Sequence, residues 1–229
     1  MHRTLSLLTL LASVATGCAA TPVIVDEPLV EPVKIDRGPT HMEQEIGGMN
    51  QEAVEATFTS IQPRVLDCVA QGATRVREIG GSFVISLRID SAGKARWAHL
   101  AESTLGDRQT ERCVLDVARE TLWPQPLGGE GLARRQFEVD AGVEPVEWEP
   151  KKIKSAMARM IEKVAPCRKG QPGTFVATAY VRPNGRVFAA GVAPPRENAE
   201  DAADCVAKEL QKMVFGSPGR KAAKVTFKL

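Results

Sequence analysis

Gly81-Ser-Phe-Val-Ile85 begins twelve residues before Gly93, and Gly173-Thr-Phe-Val-Ala177 begins twelve residues before Gly185. With these two glycines superimposed, much of the chain falls into two copies. Cys113 lands on Cys205, each twenty residues after its glycine, and Trp123 lands on Phe215, each thirty after. Upstream, Val54, Phe58, Ile61, Val65 and Cys68 match Ile153, Met157, Met160, Val164 and Cys167 at steps of 4, 3, 4 and 3. The stretch between the first cysteine and the strand is seven residues longer in the first copy. Such self-similarity marks one supersecondary unit used twice.

Each copy has the same local signals. The 4-3-4-3 spacing is one face of an amphipathic helix, with the first cysteine of the unit on that face. Pro63 falls inside the first of these helices, which predicts a kink or a late start. Phe83, Ile85, Leu87 and Ile89 then alternate with Val84, Ser86 and Arg88. In the second copy Phe175, Ala177, Ala179 and Val181 alternate with Val176, Thr178, Tyr180 and Arg182. This period of two is that of a strand. Ser91-Ala92-Gly93 and Pro183-Asn184-Gly185 predict tight turns into a second strand, Lys94 to Ala101 and Arg186 to Ala193. A second helix follows. In the first copy Asp107 is its N-cap, with Cys113, Val117 and Thr121 on one side; in the second it runs from about Glu197 to Val214, with Cys205 and Leu210 facing in. A last strand closes each unit, Arg134 to Val139 and Lys221 to Leu229.

The order is therefore α-β-β-α-β, and the fold class is α+β. Two tandem units are expected, over 51–141 and 150–229, each a three-stranded sheet with two helices on one face. The first strand of each is central, since it pairs with its hairpin partner and with the last strand. That arrangement makes the two helices neighbours and predicts the disulfides Cys68–Cys113 and Cys167–Cys205. Closing a loop of this size contributes roughly 4 kcal/mol in the chain-entropy model. Metal ligation is the alternative for these cysteines, but no CxxC spacing occurs and His2, His41 and His99 do not cluster with them.

The ends place the chain in a cell envelope. Met1-His-Arg-Thr is a short basic start, Leu5 to Ala12 is an apolar core, and small residues lead to Cys18. This pattern reads as a signal peptide over 1–17, too short to span a bilayer as a helix. Ala15-Thr16-Gly17-Cys18 resembles a lipobox, which implies lipidation of Cys18. The absence of Asp after Cys18 implies outer-membrane sorting in a Gram-negative host, with the domain in the periplasm or at the cell surface. Residues 18–50, with Pro22, Pro28, Pro32 and Pro39, read as a semi-extended tether; Pro22-Val-Ile-Val25 is its one candidate strand. Even cysteine usage apart from Cys18 fits an oxidising compartment.

Cys68, Gly81-Ser-Phe-Val, the hairpin Gly93, Ser103-Thr-Leu-Gly-Asp107, Cys113-Val and Trp123-Pro-Gln-Pro126 resemble the C-terminal domain of TonB-like proteins. The version with this cysteine pair is found in the myxobacterial gliding-motility proteins AgmX and PglI. The second copy is similar but diverges: Pro194-Pro-Arg-Glu replaces the Ser-Thr-Leu segment, and Phe215-Gly replaces the Trp-Pro step. The family's aromatic after the first cysteine is Val69 in one copy and Arg168 in the other. The resemblance implies an α/β scaffold that binds protein by adding a strand to a sheet edge, whose unpaired N–H and C=O groups recruit a peptide.

No catalytic constellation is present: there is no Gly-x-Ser-x-Gly, His-Glu-x-x-His or phosphate loop. His99, which could pair with Glu102, reads as a surface or structural residue. Trp97, Trp123 and Trp148 read first as packing residues and second as a binding surface. We expect a non-enzymatic adaptor with no cofactor, no metal and no small-molecule substrate, working in a motility, transport or adhesion assembly. Export argues against nucleic acid. Residues 151–229 hold 16 Lys and Arg against 6 Asp and Glu, and residues 51–150 hold 11 against 16, so an acidic half precedes a basic one. The expected partner surface is the last strand and its basic surroundings: Lys221, Lys224, Val225, Thr226 and Lys228, with Lys151, Lys152 and Lys154. Its partner is an envelope protein taken by strand addition or, alternatively, an acidic cell-wall or outer-membrane glycopolymer held by the basic second unit.

Overall fold

The structure, a computed structural model, describes residues 48–229. Cys18, the expected signal segment and all but the last residues of the expected tether lie outside the described residues. Asn50 accepts the Ala53 amide at 3.0 Å and so caps α1 (Gln51–Ala73). The expected stripe turns inward: Val54, Phe58, Ile61, Val65 and Cys68 are all buried. Burial of each large apolar side chain contributes roughly 2 kcal/mol. Pro63 lies within α1 without ending it. It sits on the exposed side, where water can take the carbonyl that it leaves unpaired.

The first sheet has the order β2-β1-β3, from β1 (Gly81–Ile89), β2 (Ala95–Ser103) and β3 (Gly131–Val139). The first strand is central, as its place in the hairpin requires. Gly93 turns the hairpin at φ +77°, a conformation that costs glycine no Cβ clash. Asp107 caps α2 (Arg108–Glu120) by accepting the Thr110 amide at 3.2 Å. Phe58 stands at the centre of the core, edge-on to Trp123 at 4.6 Å, while Phe83 and Phe137 stack across β1 and β3 at 5.3 Å.

The second unit repeats the plan with α3 (Lys154–Val164), β5 (Val176–Val181), β6 (Val187–Ala193), α4 (Glu200–Gln211) and β7 (Ala223–Lys228). Its sheet has four strands rather than three. The junction supplies β4 (Val146–Trp148), which pairs parallel with Ala223–Val225, so the order is β4-β7-β5-β6. The second helix is shorter at both ends than its expected span. Cys167 lies in turns just after α3 rather than on it, because Pro166 follows the last helical residues. Both expected disulfides are formed, Cys68–Cys113 with Cα atoms 5.7 Å apart and Cys167–Cys205 with 5.4 Å.

The two units pack on one another. β5 is buried on both faces: Ala177, Ala179 and Val181 belong to the core of the second unit, while Tyr180 belongs to that of the first. The Tyr180 hydroxyl donates to the Glu78 carbonyl at 3.0 Å. Gly106 lets this approach happen, since a Cβ there would meet the Tyr180 ring at 2.7 Å. Charge at the seam runs opposite to the net charge of each half. Arginines of the acidic first unit meet carboxylates of the basic second: Arg88 pairs with Glu197 at 3.1 Å, Arg108 with Asp204 at 2.6 Å, and Arg119 with Glu200.

Candidate functional site

The structure closes part of the surface expected on the last strand and leaves its lysine-rich surroundings exposed. β4 and β5 flank β7 over Ala223–Val225, so this part of the strand has no open edge. Val225 is fully buried in the second core. Lys224 is also buried, and its ammonium donates to the Gly80 carbonyl at 3.1 Å. Desolvation holds its pKa below the usual lysine value, with Glu147 and Glu144 opposing that shift. Thr226 is half-buried and bonds Thr178 across the strands at 2.9 Å. Lys221 and Lys228 remain exposed, as do Lys151, Lys152 and Lys154, and Lys151 pairs with Glu149. These lysines thus decorate the second unit, but β7 offers a partner neither Lys224 nor Val225.

The edges of the sheets decide where an added strand could go. β2 and β6 lie against each other at the seam. The β2 edge is further closed by Arg119, which donates to the Ala98 carbonyl at 3.1 Å. The β6 edge is closed by a buried carboxylate that the sequence reading did not single out. Glu111, on α2, has no exposed surface; it accepts the Val192 amide at 3.0 Å and the Ser103 hydroxyl at 2.7 Å. Arg108 Nη1 stands 3.5 Å from the same carboxylate. At the other end of that sheet β4 offers only three residues.

β3 differs. It pairs with β1 along all nine residues, Gly131 to Val139, and has no second strand partner among the described residues. Its amide directions follow from Ser82, which bonds toward β2: the Thr104 amide donates to the Ser82 carbonyl at 2.8 Å, and the Ser82 amide donates to Thr104 Oγ1 at 2.9 Å. Backbone groups alternate along a strand, so Phe83, Ile85 and Leu87 turn theirs to β3. Their partners Phe137, Arg135 and Ala133 turn inward to meet them. Leu132, Arg134, Gln136 and Glu138 therefore aim their N–H and C=O groups outward. Arg135 braces the strand against α1 through Thr59 at 3.0 Å and Glu55 at 3.2 Å.

The remaining candidates are scattered. Trp123 is a core residue whose indole N–H donates to the Ala118 carbonyl at 2.9 Å, Trp148 packs on the second core, and Trp97 is exposed. His99 does not pair with Glu102, which bonds Arg134 at 2.8 Å instead. Desolvation lowers the His99 pKa; the charge of Arg134 adds to this, and those of Glu197 and Glu200 oppose it. Among the described residues no group of three or more His, Cys, Asp or Glu is placed to hold a metal ion, and no helix is long and apolar enough to cross a membrane. No family model, no curated protein and no solved structure matches this chain.

Proposed function

We propose that the protein is a non-enzymatic adaptor of the bacterial envelope that captures an extended segment of a partner protein by strand addition to β3. The observation that carries this reading is the edge of β3, nine residues long and without a second strand partner among the described residues, whose other long edges are closed by the seam or by β4. A peptide strand pairing there would gain main-chain hydrogen bonds to Leu132, Arg134, Gln136 and Glu138 while the β1–β3 ladder stays intact. We further propose that each unit is a TonB C-terminal-like domain, and that lipid on Cys18 holds the chain to the outer membrane with the tether as spacer. The two disulfides are consistent with an oxidising compartment.

The test is cross-linking in the native envelope with a photoreactive residue at Gln136, followed by mass spectrometry. A discrete protein adduct is expected, and Arg134→Pro should abolish it. That substitution deletes one outward amide from an edge strand, a place where proline is tolerated. An adduct that survives Arg134→Pro, or no adduct at all, would refute strand addition at β3. Retention of the chain on cell-wall material, reversed by salt, would then favour the glycopolymer reading through Lys151, Lys152, Lys154, Lys221 and Lys228.

A further inference from the structure

A cleft of about 700 Å³ opens between α2 of the first unit and the β5–β6 hairpin and α4 of the second. Its apolar lining comes from Val76, Phe188, Ala189 and Ala207, and its rim is charged. Every carboxylate that lines it already has a cationic partner. Asp107 accepts from Arg75 at 2.7 Å, Asp204 from Arg108 at 2.6 Å with Arg112 at 3.4 Å, and Asp116 from Arg119 at 3.1 Å. The cations are not matched in turn. Arg182 and Lys208 are exposed and pair with no carboxylate among the described residues. The Arg182 guanidinium lies 4.7 Å over the Phe188 ring, which holds it beside the cleft. Arg108, by contrast, is buried and matched by Asp204 at 2.6 Å, Glu200 at 3.3 Å and Glu111 at 3.5 Å, so it is not part of the uncompensated charge.

We propose that this cleft binds an anion, a phosphate or carboxylate carried beside an apolar part that rests on Phe188. Arg182 and Lys208 supply the uncompensated charge, and Arg112 assists. The volume is that of a pocket for a small organic ligand. The inference is independent of strand addition, because β3 does not line the cleft.

Isothermal titration calorimetry on the full chain at fixed ionic strength tests it, with phenyl phosphate and phenylacetate as probes. Monomeric dihexanoyl phosphatidic acid serves as a lipid-headgroup probe and inorganic phosphate as the minimal anion. Saturable binding is expected for at least one of the three organic anions, tighter than for inorganic phosphate. If phenyl phosphate or phenylacetate is preferred, the source is a soluble metabolite; if the short-chain lipid is preferred, it is a headgroup. The double variant Arg182→Gln with Lys208→Gln should weaken binding at least about tenfold, the effect of two lost charge-assisted bonds. Lys169→Gln with Arg186→Gln removes the same charge from exposed positions that do not line the cleft, and should leave affinity within about twofold. Absence of saturable binding overturns the proposal, as does equal weakening by the two double variants.

Discussion

Glu111 is the residue on which the join between the two units turns. Its carboxylate spends one oxygen on Ser103 and the other on the Val192 amide across the seam. The same group compensates Arg108, which is buried with it. Glu111→Gln would keep the shape but present an NH₂ group to one of these partners. If it faces Val192, two donors meet; if it faces Ser103, the hydroxyl must turn and give up the charge-assisted bond. Arg108 retains Asp204 at 2.6 Å and Glu200 at 3.3 Å, so the loss should fall at the low end of that for a broken buried pair, about 3 kcal/mol. Urea unfolding measures it. A loss below about 1 kcal/mol would mean that Glu111 is replaceable by any polar group of its size. Ser103→Ala, which removes one neutral partner, should cost less, about 1 kcal/mol.

Among the elements, β4 is the one that changes the reading of the molecule, because it turns the last strand from an edge into an interior strand. Val146 donates its amide to the Ala222 carbonyl at 2.9 Å at the start of the pairing. Val146→Pro deletes that donor and should cost about 1 kcal/mol. Hydrogen exchange should rise at the β7 amides that face β4 and stay slow at those that face β5; a uniform rise along the strand would show that β4 supports the whole second core rather than guarding one edge. The strands of both hairpins and the disulfide pairing were legible in the repeat, because each is written in a period or in fixed spacings; the cap at Asp107 was legible from its residue type at the start of the helix, and its counterpart Ala199 makes no cap bond. β4 was not: Val146-Glu-Trp148 lies between Pro145 and Pro150, is too short to show alternation, and its partner is more than seventy residues away. Lys224 misled for a related reason. A lysine on a strand reads as an exposed edge guard, whereas here its long stem lets the ammonium reach the Gly80 carbonyl from a buried position. Glu111 lies in a helix of mixed charge, and nothing local distinguishes a carboxylate that will plug a distant strand from one that faces water. The open edge of β3 depends in the same way on which other edges close, which is settled only by the packing of the two units.

At the scale of the whole molecule, two repeats in tandem would by default move as separate domains, since most interdomain contacts within a chain are modest and polar. This pair is joined differently. The core of the first unit continues into residues of the second, with Tyr180 and Ala189 buried in it and Phe188 packed against it. Tyr180 is the only tyrosine in the chain and has no exposed surface. Trp123 is buried within the first unit and Trp148 packs on the second. Trp97, the third tryptophan, is exposed beside Glu197 and Asn198 at the seam; once it is replaced by Phe, these residues report the seam and the units separately. If the seam is part of one cooperative core, tyrosine absorbance and tryptophan fluorescence should follow one urea transition with coincident midpoints, the disulfides being kept oxidised throughout. A tyrosine transition at lower urea than the tryptophan transition would show the seam opening before either unit melts. The β6 edge that Glu111 covers would then be accessible in a populated intermediate, and β3 would no longer be the single long open edge among the described residues. Coincidence of the two probes instead limits an added strand to one per chain, because among the described residues only β3 keeps a long open edge while the units stay joined.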